Sequence, residues 1–199
     1  MPLLYHNNNS ISNITSFAQV PSGSLTLLST ATASASSSIS FTSGIDSTYD
    51  IYQFEFINID ASNLTGFSFN LSTDNGSNYN VTKTTTMFNA WHDEEDTSTS
   101  LSYITSADLA QSTADQSLAF YNLATASDSG VSGTMQLFNP SSTTYVKHFI
   151  ADINYMNSTY TMRQFTSGYG NTTSAINAII FRMNTGNIDA GTIKMYGIK

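Results

Sequence analysis

The chain has 199 residues, no cysteine and only 10% charged residues, with 6 Lys and Arg against 14 Asp and Glu for a net charge of −8. The missing thiols exclude thiolate zinc sites, iron–sulfur clusters, cysteine nucleophiles and a disulfide framework, which a chain of this length does not need. A pI near 4.4 and scattered cations leave no basic stripe for phosphates, so nucleic acid is not an expected partner.

Met1–Gly23 is polar and irregular, with Asn7-Asn8-Asn9 in its middle and Pro21-Ser22-Gly23 at its end. It reads as an extended N-terminal arm that lies on its own domain or on a neighbouring subunit, with a frayed terminus as the plainer alternative. Met1–Tyr5 has neither the cationic lead nor the apolar core of a signal peptide, and no apolar run is long enough to span a bilayer. Neither conventional secretion nor membrane insertion is expected.

Residues 24–199 read as a single domain built of β-strands. The densest strand signal is Asp50–Ile59, where Ile51, Tyr52, Phe54, Phe56, Ile57 and Ile59 are apolar on both sides of the pleat, as in the centre of a two-layer structure. Short strands precede it through Leu25–Ser34 and Ile39–Phe41. Phe67, Phe69 and Leu71 then alternate with polar residues, and Asp74-Asn75-Gly76 follows as a turn with Gly76 at positive φ. That register predicts a hairpin pairing Leu71 with Tyr79 and Phe69 with Val81.

Residues 91–117 form an acidic, Ala/Ser-rich excursion, a loop or a short helix over Ser106–Gln116 with Ser106 as N-cap. Strands resume at Leu118–Leu123, Val131–Phe138, Tyr145–Asn154, Thr159–Phe165, Ala175–Met183 and Ile188–Ile198. A four-residue loop Asn184–Asn187 would place Arg182 opposite Asp189 and Ile176 opposite Met195. About ten short strands without a repeat predict an all-β, antiparallel β-sandwich of jelly-roll type.

Trp91-His92-Asp93-Glu94-Glu95-Asp96 is the sharpest local cluster. His92, Asp93 and Glu95 are the candidate ligands of a structural divalent cation, the only cofactor considered. A solvated acidic loop is the simpler reading, because consecutive carboxylates on an extended chain point to alternate sides and the spaced pattern of a calcium loop is absent. No catalytic residues are assigned. There is no G-x-S-x-G elbow, and Asp50, Glu55, Asp152 and Asp189 are more simply surface or turn residues than a glycosidase pair. Sugar binding without chemistry has better candidates in Trp91, Tyr103, Tyr121, Tyr169 and Asn171, whose rings and amide suit stacking and hydrogen bonding.

Gly23–Asp50 (GSLTLLSTATASASSSISFTSGIDSTYD), Asp74–Thr86 (DNGSNYNVTKTTT), Leu137–Ala151 (LFNPSSTTYVKHFIA) and the closing TGNIDAGTIKMYGIK of Thr185–Lys199 carry a family resemblance. In that order they resemble a family of small virion structural proteins of marine tailed phages. The resemblance implies localisation in the virion as a head-decoration or tail/fibre-associated protein, with other virion proteins as partners and no catalytic motif. A homo-oligomer, preferably a trimer, is expected, with a host-surface glycan as the alternative partner.

Overall fold

A computed structural model describes residues 25–126 and 128–199; the expected arm, residues 1–23, lies outside the described residues. Among the described residues the elements are strands, apart from a 3-10 turn at Thr105–Ala107. They are β1 (Thr26–Thr32), β2 (Ile39–Phe41), β3 (Ile51–Ala61), β4 (Phe67–Ser72), β5 (Lys83–Asp93), β6 (Thr99–Tyr103), β7 (Gln116–Ala119), β8 (Val131–Phe138), β9 (Lys147–Asn157), β10 (Tyr160–Gly170), β11 (Ala178–Met183) and β12 (Ile188–Ile198). Two antiparallel sheets face each other. One has eight strands in the order β1-β12-β3-β8-β9-β10-β5-β6, the other four in the order β2-β11-β4-β7.

The alternation of β3 explains its place. Tyr52, Phe54 and Phe56 point inward and are buried, while Ile51, Gln53 and Glu55 are half-buried on the opposite side. Next to Phe56 the register slips, Asn58 takes φ +49, and Ile57 and Asn58 turn out to solvent before Ile59 returns to the core. On the partner strand Gly191 sits at φ +110, where an added Cβ would lie 2.5 Å from the Asn58 carbonyl oxygen. Only glycine fits that approach.

Phe181 of β11 is the centre of the core. Its ring lies 5.3 Å from Phe54 and 5.1 Å from Phe56 of the eight-stranded sheet, and 6.3, 6.1 and 6.5 Å from Phe41, Phe67 and Phe69 of its own. Phe69 meets Phe149 edge-on at 5.0 Å and extends the cluster toward β9. Tilted and edge-to-face rings at these separations add to the burial of large apolar surfaces.

Three local expectations are corrected. The hairpin after β4 does not form. Asn75 and Gly76 do take φ +57 and +84, but β11 occupies one edge of β4 and β7 the other as far as Phe69, and the chain crosses to the other sheet as β5. Between the backbones of the two segments the bond is Val81 N–H to the Leu71 carbonyl at 3.4 Å. The loop Asn184–Asn187 likewise changes sheets, so Arg182 does not face Asp189; Ile188 pairs with Ala61 of β3 instead. The helix over Ser106–Gln116 reduces to the 3-10 turn, because Leu109 and Ser112 give their backbone groups to Thr85 and Lys83 of β5 rather than to a helical ladder.

Phe181→Ala is expected to cost about 3–5 kcal/mol, since it empties the point where five rings meet. Urea denaturation measures this, with the exposed Leu64→Ala as a control within about 0.5 kcal/mol of wild type. Equal losses in the two variants would contradict the placement of Phe181.

Candidate functional site

The acidic cluster lies where β5 turns into β6. The Asp93 carboxylate accepts the Thr97 N–H at 2.9 Å, the Ser98 N–H at 3.0 Å and the Thr97 hydroxyl. The Thr97 hydroxyl is the main reason that its carboxyl lies below the usual carboxylate range. His92 Nε2 lies 3.0 Å from Asp96 Oδ1, and Glu94 and Glu95 are exposed. Of His92, Asp93 and Glu95, the first pairs with Asp96 and the second shapes its own turn. Among the described residues no group of three or more His, Asp or Glu is placed to hold a metal ion.

Of the sugar-binding candidates, Trp91 and Tyr121 share a cleft, and Tyr169 and Asn171 lie elsewhere. Trp91 pairs with Met162 and Tyr169 with Thr84, seven residues further along the β5–β10 ladder, which is roughly 20 Å. An odd offset also puts them on opposite faces. Tyr169 lies edge-on to His148 at 6.1 Å, and Asn171 donates to Gln111 Oε1 at 2.7 Å. Trp91 instead meets Tyr160 at 5.2 Å, nearly perpendicular, and with Tyr121, Asn157 and Met162 lines an open cleft of about 270 Å³.

A feature that local patterning does not single out lies on the solvent side of the eight-stranded sheet. Tyr103, Phe88 and Phe165 are successive cross-strand partners on β6, β5 and β10, with Phe88 and Phe165 stacked at 4.8 Å. The Arg163 guanidinium lies 4.8 Å from the Phe165 ring centroid and pairs with Asp152 at 2.7 Å. Leu101 beside them is 74% exposed, Tyr103 57% and Phe88 42%. The same row continues through Asp152, Thr134, Glu55 and Lys194, so the sheet is apolar at its β6 edge and charged toward β12.

Two lysines are wholly buried, which is unusual for a chain with so few cations. Lys83 and Lys147 are the two partners of Gly170 across adjacent ladders. Burial lowers both ammoniums, that of Lys83 to about 8 against the pull of nearby Asp115. Lys147 Nζ donates to the Tyr145 and Thr172 carbonyls at 2.7 and 3.2 Å. Lys83 Nζ donates to Asn70 Oδ1 at 2.6 Å and to the Val81 carbonyl at 2.8 Å. The Asn70 amide in turn donates to Asp115 Oδ1 at 2.9 Å, and Asp115 is held by Arg182 through two bonds of 2.5 and 2.8 Å. Burial would raise the Asp115 carboxyl, but the bonds from Arg182 and Asn70 hold it below its ordinary value.

Comparisons with family models, with curated proteins and with solved structures find no match for this chain.

Because the folded Asp93 carboxyl titrates below its ordinary value of 3.8, its stabilisation is present above that pH and is lost as the pH falls further. Asp93→Asn is expected to lower the thermal midpoint at neutral pH, with the gap to wild type narrowing toward about pH 3. A gap that stays constant across that range would contradict the role given to this turn.

Proposed function

We propose that the chain is a non-enzymatic structural protein of a tailed-phage virion, a capsid decoration or tail/fibre-type subunit. It assembles as a homo-oligomer, a trimer in the first instance, and Met1–Gly23 serves as an arm in that assembly. The virion part of this reading rests on the sequence resemblance. The assembly part rests on one observation, the apolar patch of Tyr103, Phe88, Phe165 and Leu101 at the β6 edge. Large apolar side chains gathered on a sheet face, beside a strand with one unpaired edge, suit docking against a second protein surface.

Strand order supports a jelly roll as the architecture. The four-stranded sheet interleaves β2, β11, β4 and β7, and the other reads β3, β8, β5 and β6 once the β9–β10 hairpin is set aside. That is the interleaving of two wound Greek keys, with β1 and β12 added beyond β3. Every passage between the sheets then needs a crossing loop, which agrees with the turns at Asp74–Gly76 and Asn184–Asn187.

The second reading, a carbohydrate- or receptor-binding module, is favoured by the cleft of Trp91, Tyr121, Asn157 and Tyr160. Aromatic faces beside an amide are the usual means of holding a sugar ring. The two readings describe separate surfaces and are tested separately.

Light scattering of the purified protein is expected to give a mass near three times the 21.6 kDa chain, and Leu101→Glu to return it to a single chain. A wild-type monomer at high concentration contradicts self-assembly, and an unaffected oligomer in the variant contradicts this face. Trp91 is the only tryptophan, so a glycan in the cleft changes the intrinsic fluorescence. A response that Tyr121→Ala leaves unchanged would argue against the cleft.

A further inference from the structure

From the placement of Lys83 against Asn70 with Asp115 beside them, we propose that this chain forms an internal isopeptide bond, joining Lys83 Nζ to Asn70 Cγ and tying β5 to β4. The inference is independent of what the protein assembles into. It concerns three side chains that the proposed function leaves unused.

The geometry supplies each element of an amide-forming site. Lys83 is the nucleophile, and its Nζ donates to Asn70 Oδ1, the oxygen on the carbon to be attacked, at 2.6 Å in a place where neither residue is more than 1% exposed. Position therefore replaces a bimolecular encounter, and water that would compete for the carbonyl carbon is kept out. The Leu71 N–H donates to Asn70 Oδ1 at 2.9 Å, where negative charge develops when the carbonyl carbon is attacked. The leaving nitrogen Nδ2 already hydrogen-bonds Asp115 Oδ1 at 2.9 Å. Arg182 is a positioning residue, because it fixes both oxygens of that carboxylate and touches neither reacting atom.

The step balances without a cofactor. The free Nζ lone pair adds to Asn70 Cγ, and the electron pair of the C=O bond moves to Oδ1. Asp115 takes the proton that the attacking nitrogen sheds and passes it to Nδ2. The carbonyl re-forms, the Cγ–Nδ2 bond breaks, and ammonia departs. No atom is oxidised or reduced. Burial lowers the Lys83 ammonium to about 8, so the free lone pair becomes abundant at mildly alkaline pH. The charged groups around it are Asp115 and, through that carboxylate, Arg182, while the neighbouring Lys147 is occupied by the Tyr145 and Thr172 carbonyls.

The bond would join strands that share no ladder. β4 is in one sheet and β5 in the other, and the β4–β7 ladder ends at Phe69 with Gln116, one residue before Asn70. A covalent tie there closes a loop of fourteen residues, Asn70 to Lys83, between the two sheets.

Intact-mass spectrometry of the full, unfolded chain after incubation at mildly alkaline pH tests this. The expected mass is lower than that of the sequence by one ammonia, about 17 Da. Trypsin is expected to fail at Lys83. Asn70→Ala and Lys83→Arg are expected to show their full masses, and Asp115→Asn, which keeps both partners, to slow or stop the loss. A wild-type chain at full mass, cleaved after Lys83, overturns the proposal. So does an ammonia loss that persists in Lys83→Arg, because a cyclised Asn75-Gly76 sequence would produce it without Lys83.

Discussion

The contact of Phe181 with rings from both sheets is the constraint on which the rest of the molecule depends. Phe54 and Phe56 from one side and Phe41, Phe67 and Phe69 from the other meet around it. This fixes the register of β11 against β4, hence the inward side of both strands. With that side fixed, Ser68, Asn70 and Ser72 must occupy the opposite side of β4, and they are buried there by loops rather than by a third layer. Unequal sheets follow, four strands covering eight. The inner face of β5 and β10 beyond β7 is closed by the turn at Thr105–Ala107 and the extended chain to Asp115.

That closure explains the polar seam. Where the four-stranded sheet ends, Asn89, Gln116, Gln164, Lys83 and Lys147 face inward, in places that a larger second sheet would have filled with apolar side chains. Gln164 meets the Leu118 carbonyl, the Phe120 N–H and the Tyr155 hydroxyl. Lys83 meets Asn70. Buried polar groups retained in this way need complete partners, and the Lys83–Asn70–Asp115–Arg182 chain has them. The same low-dielectric setting that makes an unpartnered ammonium costly makes a neutral amine available, which links the architecture to covalent chemistry.

Much of the strand content is legible in the sequence, because inward alternation in Phe67-Ser68-Phe69, Val131–Phe138 and Ile188–Ile198 is a local property. Pairing is not local. Asp74-Asn75-Gly76 can close a hairpin or carry the chain between sheets with equal ease, and what decides is that β11 claims one edge of β4 and β7 part of the other, from more than forty residues away. The site residues divide in the same way. Trp91 and Tyr121 could be singled out as aromatics suited to stacking, but their meeting, and the part of Tyr160, depend on strands and loops distant in sequence. Phe88 looks like one more core residue beside Met87, until the pleat sends Met87 inward and Phe88 outward. Lys83, Asn70, Asp115 and Arg182 are brought together only by crossings between sheets, so no spacing rule points to them.

A sandwich with an apolar edge on one sheet, few charges and a hydroxyl-rich surface is well suited to repeated packing against like and unlike neighbours. The measurement that tests the proposed virion role most directly is a search for this chain among the proteins of purified particles from the source of its gene. The account predicts the chain in a fixed ratio to the other structural proteins, retained through density-gradient purification. Abundance in infected-cell lysate with none in the particles would contradict it.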